Sequence, residues 1–296
     1  MFKRTRKPFK TIAAMALMSA SLVAQPAAAN PLTAAQGLNL ADRFSNAIEA
    51  VQEGLDFIWP GDYRPEDVSA RFGAGFGWMP DYVGSDNYRF RALPIIDIRY
   101  KQVWRLNGGK FTYSAMRRGN FEAGPLLNLH FGRRESSNRA LIGLGDISTT
   151  MDVGAFARFR TEKWTIDTDF RKALGAGRGW QARLTAGHGI YKSGNFAAGA
   201  GLRAKFLSKK AMQTNFGITP AQAAMSNAGY AAFKTKGGLA EVSANVIGAY
   251  RFSDSTRIWG LVSLGRLFGS AAKSPIVDGK GSDFQAIAGT ALTIQF

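Results

Sequence analysis

From Val68 to Phe296, apolar and polar side chains alternate one for one in segment after segment. In the first segment Val68, Ala70, Phe72, Ala74, Phe76 and Trp78 are apolar, and Ser69, Arg71, Gly73, Gly75 and Gly77 fill the positions between. Successive side chains of a strand point to opposite faces, so a period of two describes a sheet whose faces meet unlike surroundings. The pattern returns repeatedly. Phe121, Ala123, Leu127, Leu129 and Phe131 alternate with Glu122, Asn128 and His130, and Met151, Val153, Ala155, Ala157 and Phe159 alternate with Asp152, Arg158 and Arg160. Trp164, Ile166 and Phe170 oppose Asp167, Asp169 and Arg171; Trp180, Ala182, Leu184 and Ala186 oppose Gln181, Arg183 and Thr185. Phe196, Ala198, Ala200, Leu202, Ala204 and Phe206 oppose Arg203 and Lys205, and Val242, Ala244, Val246 and Tyr250 oppose Glu241, Ser243, Asn245 and Arg251. Repeated around a closed barrel, this alternation puts lipid outside and a polar lumen inside.

Eleven segments can be read directly: 68–78, 88–100, 103–116, 120–133, 149–160, 163–174, 179–190, 194–206, 238–252, 255–268 and 284–296. Single-chain bacterial barrels have even strand numbers. Asn107, Gly108 and Gly109 form a favoured tight-hairpin sequence, and dividing the third segment there gives twelve. Ten is the alternative, if 103–116 does not span. With twelve strands the long connections 79–87, 134–148, 207–237 and 269–283 fall on one side. The short turns near Lys101, Arg118, Glu162, Ser193 and Ser253 fall on the other. Long outer loops and short periplasmic turns are the known asymmetry of outer-membrane barrels. The expected fold is therefore all-β, an antiparallel transmembrane barrel over 68–296 in a bacterial outer membrane. Aromatics such as Trp78, Tyr100, Trp164, Trp180 and Phe252 near segment ends suit the membrane interfaces. The last segment presents Phe284, Ala286, Ala288, Leu292, Ile294 and Phe296 to lipid and is expected to close against Val68 to Trp78.

The residues before the barrel are of another kind. Lys3, Arg4, Arg6, Lys7 and Lys10 precede an apolar run from Ile12 to Val23 and then Ala27, Ala28 and Ala29. A basic head, a greasy core and small residues make a secretory signal peptide, expected over 1–29, with an organellar transit peptide as the minor alternative. The apolar run falls well short of the ~20 residues a membrane-spanning helix needs. In 30–67, Leu40, Phe44, Ala47, Ile48, Val51, Leu55 and Ile58 recur at spacings of three and four, which predicts a short amphipathic helix ended by Trp59, Pro60 and Gly61. Such a segment packs under or inside a barrel, or docks a periplasmic partner.

The formal net charge is +17, and the five positive charges of the leader account for the difference from +12 in the rest. That balance favours anionic partners. The basic residues are scattered through alternating segments and not gathered on one helix or tail, which argues against nucleic acid. Outer-membrane lipid and lipopolysaccharide, peptidoglycan carboxylates or an anionic solute fit an exported chain better. With no cysteine, disulfides, thiolate metal sites and cysteine nucleophiles are excluded. Only His130 and His188 are present, and no H-E-x-x-H occurs. By the alternation His188 points outward and His130 into the lumen, on the face of Glu122 and Asn128, with Ser136 and Ser137 in the loop beyond. A serine, a histidine and a carboxylate in one neighbourhood arise often by chance, and no catalytic residue, cofactor or metal site is assigned. Asp167 and Asp169 share a strand face, with Arg171 next to them and Arg158, Arg160 and Arg183 on adjoining segments. With Arg71 and Arg203 they form a candidate charge network of the lumen. The glycines 73, 75, 199, 201 and 289 do not form G-x-G-x-x-G between a strand and a helix, and serve close backbone approach or curvature.

Five further segments lie in the expected loops and their flanks. They are Pro80-Asp81-Tyr82-Val83-Gly84-Ser85-Asp86, Leu93-Pro94-Ile95-Ile96-Asp97, Gly143-Leu144-Gly145-Asp146, Met212 to Ala223, and Ser274-Pro275-Ile276-Val277. In the fourth, Met212, Gln213, Phe216, Gly217, Thr219 and Pro220 make the most specific motif, a candidate extracellular loop feature. In these segments and their order the chain resembles the MipA/OmpV family of outer-membrane proteins over roughly 68–296. The resemblance implies an outer-membrane barrel without enzymatic activity. It also implies a scaffold role, that of the family's namesake, which brings a lytic transglycosylase together with a bifunctional penicillin-binding protein. A small diffusion channel with a basic lumen is the alternative, and an outer-membrane enzyme a distant third.

Overall fold

The computed structural model describes residues 68–296. The expected leader over 1–29 and the helix expected within 30–67 lie outside the described residues. Twelve antiparallel strands form the barrel: β1 (Val68–Pro80), β2 (Tyr88–Tyr100), β3 (Trp104–Asn107), β4 in two pieces (Lys110–Tyr113 and Met116–Arg118), β5 (Phe121–His130), β6 (Thr150–Arg160), β7 (Trp164–Ala173), β8 (Trp180–Ser193), β9 (Phe196–Leu207), β10 (Gly238–Arg251), β11 (Thr256–Leu267) and β12 (Phe284–Gln295). Each pairs with its neighbour in sequence, and β12 pairs with β1 from Arg71↔Gln295 to Trp78↔Ala288. The terminal Phe296 takes part in this seam, since its N–H donates to the Ala70 carbonyl at 2.8 Å. The strands approach closely there. A Cβ at Gly73 would lie 2.3 Å from the Leu292 carbonyl oxygen, and one at Gly75 2.1 Å from that of Thr290.

The third sequence segment does divide at Asn107, giving a hairpin turned by Gly108, whose φ of 57° suits glycine. This settles the count at twelve. The hairpin is short, and two prolines mark the consequences. The Ile96 carbonyl accepts from the Gly108 N–H, so even-numbered positions of β2 face β3. Pro94 is the next of them, beyond the hairpin tip, where no described strand pairs with β2 on that side and no N–H is needed. Pro125 of β5 stands opposite the break in β4 at Ser114 and Ala115, and its missing N–H falls in the same kind of gap.

Alternation puts the apolar set outside. Phe72, Phe76, Phe90, Leu129, Ile166, Phe170, Leu184, Leu202, Val262 and Leu292 are exposed large side chains on the outward face, the surface that hydrocarbon covers. Aromatic pairs gather at both ends of the strands: Trp78 stacks on Tyr88 at 4.1 Å at one end, and Trp104 meets Tyr113 at 4.2 Å at the other. No helix of the described residues is long and apolar enough to cross a membrane. The helices are short and lie in the loops: α1 (Lys209–Phe216), α2 (Pro220–Met225), α3 (Gly269–Ala272) and α4 (Pro275–Asp278). All long connections emerge at one end, which the loop asymmetry of such barrels makes the extracellular end.

Candidate functional site: a charged lumen under a folded cap

Closure turns every odd-numbered residue of β1 and β2, and their register partners around the wall, towards the lumen. The inward positions are not uniform. The arc from β6 to β8 with the neighbouring β3–β5 is densely charged, and the arc facing it combines an apolar cluster with Arg71, Asp97, Arg203 and Arg257. Ile95, Ala197, Ile247, Ala249, Trp259, Leu261 and Ala291 form a buried cluster on the apolar side.

Asp169 is the hub of the charged arc. It lies 2.8 Å from the Arg171 Nε, 2.8 Å from Arg183 Nη2 and 3.8 Å from Lys110 Nζ, and all four side chains are screened from solvent. Asp167 holds Arg158 at 2.6 Å, and Arg158 reaches on to Glu122 at 2.9 Å. Asp97 on β2 pairs with Arg105 at 2.9 Å and Arg99 at 3.8 Å. Charges removed from water this far persist only with partners close at hand. Arg160 continues the inward row of β6 beyond Arg158 and is half-buried. Arg71, grouped with this network on sequence grounds, stands in register with Asp97. The Arg71 guanidinium lies over the Trp259 ring at 5.4 Å, and Arg203 sits on β9 between Thr185 and Ser243 in register.

Higher in the lumen, His130 Nδ1 lies 3.1 Å from Asp152 Oδ2, which also accepts from Gln181 Nε2 at 3.1 Å. Arg178 Nη1 approaches His130 Nε2 at 2.5 Å, and its Nη2 donates to the Phe131 carbonyl. Arginine has no acceptor, so Nε2 accepts and Nδ1–H donates to Asp152, which describes a neutral imidazole. Both ring nitrogens are thereby engaged. In the loop beyond, Ser137 Oγ donates to the Arg134 carbonyl. His188 faces outward and meets Trp164 at 4.4 Å. Among the described residues no group of three His, Cys, Asp or Glu side chains could hold a metal.

Alternation alone would have found Asp97, Arg105 and Lys110, which share the inward rows. Arg178 carries no such signal. It comes from the turn between β7 and β8, and only the fold drops it into the lumen.

The extracellular loops form a second hydrophobic core over the mouth. Met212 and Phe216 of α1 pack with Ala271 and Val277 onto Leu207, Ala240 and Leu267, the inward residues at the ends of β9, β10 and β11. Tyr82, Leu141, Leu144, Ile218, Tyr230 and Ile276 make a separate cluster from four loops. The loop motif is legible in these contacts. Gln213 joins the Phe233 carbonyl to the Thr235 N–H, Gly217 lies where a Cβ would strike Gln213, and Thr219 closes a capping box with Gln222, with Pro220 at the first turn of α2. Ser274 Oγ donates to the Phe216 carbonyl at 2.6 Å. Gly84, at φ 95°, is pressed against Val277. Asp81 binds Arg89 and accepts from Asn138 Nδ2 at 2.9 Å. The residues that carry the family resemblance are thus largely those that hold the cap together.

With that geometry, the family described as "MltA-interacting protein MipA" matches residues 72–296. The chain belongs to the MipA family. No curated protein matches the sequence. Similar solved structures include one titled "KdgM porin" (9% identity, 76% of this chain and 99% of that one, TM-score 0.38). The NanC porin is similar at 8% identity over 77% of this chain and 98% of that one, TM-score 0.39. The COG4313 outer membrane channel from Pseudomonas putida F1 is similar at 12% identity over 80% and 99%, TM-score 0.41. As a closed barrel of the MipA/OmpV family, the protein is one of the bacterial outer membrane.

In this MipA-family barrel, Asp169→Asn strips the hub of its charge and leaves buried cations facing one another. We expect a loss of about 3–5 kcal/mol in urea unfolding followed by gel mobility. Asp254→Asn in an exposed turn is expected to change stability by less than ~0.5 kcal/mol.

The cap has its own pH signature. Burial, then the nearby Tyr230 and Asp86, raise the Tyr82 phenol well above its ordinary 10.0, and Tyr230 is raised in the same way, chiefly by burial. Unfolded tyrosine loses its proton near pH 10 while the folded phenol keeps it, so stability is full below that pH and falls as pH rises through it. Amide exchange in the cap is expected to quicken relative to the barrel above about pH 10. Tyr82→Phe is expected to flatten that slope, at a cost of about 1 kcal/mol at neutral pH.

Proposed function

We propose that this protein is a non-enzymatic, narrow passage for small anionic solutes. One observation carries the reading: the strands bury eight cationic side chains, Arg71, Arg105, Lys110, Arg158, Arg171, Arg183, Arg203 and Arg257, against four carboxylates, Asp97, Asp152, Asp167 and Asp169. A low-dielectric wall with surplus positive charge concentrates anions and repels cations. Twelve strands lie between the ~8 that leave room only for side chains and the 16–18 of wide aqueous channels, so any conductance is small. Because α1 seats on the inward ends of β9–β11, a solute must pass the cap.

In planar bilayers under a KCl gradient, the purified barrel is expected to give small, anion-preferring steps. Deleting 209–236 is expected to raise the step size, and Arg203→Gln with Lys205→Gln to weaken the anion preference. Silence at all voltages, in both the full chain and the deletion, counts decisively against a passage.

A second reading is favoured by the family description, which names an interaction with MltA, and comes with the expected peptidoglycan-remodelling partners. The periplasmic rim of the described barrel consists of short turns, among them 101–103, 161–163 and 252–255. A scaffold of murein hydrolases and synthases would therefore dock on a small area, or on residues before Val68. Pull-down from detergent extracts is expected to enrich murein enzymes. Recovery no greater than with an unrelated barrel would remove this reading.

A further inference from the structure

Residues 170–240 carry eleven basic side chains and no Asp or Glu. Several of these cations face the lumen; of the others, Lys192 lies at the opposite rim and Lys234 is exposed in the loop. Lys172, Lys209, Lys210 and Lys236 are all exposed, and none makes an ion pair among the described residues.

The fold gathers them at one place on the outer rim. Lys172 takes an outward position on β7, next to inward Arg171, and stands in register with Trp180 of β8. The Trp180 N–H donates to Ser208 Oγ, and its carbonyl accepts from the Ser208 N–H, which sets Lys209 and Lys210 beside it at the start of α1. Lys236 is adjacent again, because a Cβ on its neighbour Gly237 would come within 2.7 Å of the Lys209 nitrogen. Directly below on the outer wall lie exposed Phe170 and Trp180, their rings 5.4 Å apart, with Leu184 and Phe206.

Unpaired ammonium groups above an aromatic and aliphatic wall, at the extracellular boundary of a membrane barrel, match one kind of molecule. It must carry anionic groups at headgroup depth and acyl chains beneath them. We propose that the rim of β7–β10 binds a phosphorylated glycolipid of the outer leaflet, its phosphates among Lys172, Lys209, Lys210 and Lys236 and its chains along Phe170 and Trp180. The site is on the outside of the wall and is independent of whether the lumen conducts. A lysine near an anionic membrane surface contributes on the order of fivefold in affinity, so four together dominate the recognition.

The test uses the full chain in detergent, titrated with bisphosphorylated lipid A and followed by native mass spectrometry. Three comparisons accompany it: phosphatase-treated lipid A, inorganic pyrophosphate, and two sets of variants. In the first set Lys172, Lys209, Lys210 and Lys236 are all changed to Gln, or only Lys172 and Lys236 should the fourfold variant lose heat-modifiable mobility. In the second, Lys101, Lys163 and Lys192 at the opposite rim are changed to Gln. The expected result is at least a tenfold loss of lipid A binding in the fourfold variant, or about fivefold or more in the pair, with the opposite-rim variant unchanged. Phosphatase treatment is expected to weaken binding to the wild-type chain similarly. Equal binding by wild type and rim variant, an equal loss in the opposite-rim variant, or pyrophosphate binding as tightly as the lipid would each overturn the assignment.

Discussion

Hydrocarbon offers a peptide group nothing to bond with, so a sheet that crosses it must bond its own two edges together. The pairing of β12 with β1 meets that demand, and much of the wall is shaped around it. Gly73 and Gly75 let the carbonyls of β12 come closer than any side chain would permit. Phe296, the last residue, is bonded into the seam and not left beyond it. The same demand explains where proline is admitted. Pro94 and Pro125 occupy positions where the short β3–β4 hairpin, or the break in β4, leaves no partner for an N–H.

Closure has an electrostatic sequel. Once the barrel is shut, each polar residue of the alternation is committed to the interior, where an isolated charge is costly. The response is clustering: Asp169 gathers Arg171, Arg183 and Lys110, and Asp167 gathers Arg158, which also reaches Glu122. The opposite arc packs Trp259, Ile247 and Ile95 together, and Arg71 rests its guanidinium on the indole face. The interior is thus two-sided, with linked ion pairs on one wall and an apolar cluster, accompanied by Arg71, Arg203 and Arg257, on the other.

The loops follow a different logic from the strands they join. They bury Tyr82, Leu141, Met212, Phe216 and Ile276 in cores of their own, seated on the inward ends of three strands. Their motif residues are structural pieces of that cap: a capping box at Thr219, a glutamine bridge at Gln213, and close approaches at Gly84 and Gly217. This explains why short, widely separated sequence segments mark the family together.

The alternation from Val68 onward determined the barrel by itself, because in a strand each residue's face follows from its number. Strand placement and the inward placing of Asp167, Asp169, Arg158 and His130 were legible for that reason, whereas the division at Asn107 and the even count rested on the Asn107-Gly108-Gly109 turn and on the parity of such barrels. What periodicity cannot encode is which inward residues meet across the lumen, since that depends on register and shear around the whole wall. Only the tertiary structure brought Lys110 to the Asp169 cluster and set Arg178 from a turn against His130. It alone folded four loops into one cap and carried Lys172, Lys209, Lys210 and Lys236 to a single outer rim, because contacts between residues far apart in sequence exist only after the sheet has closed.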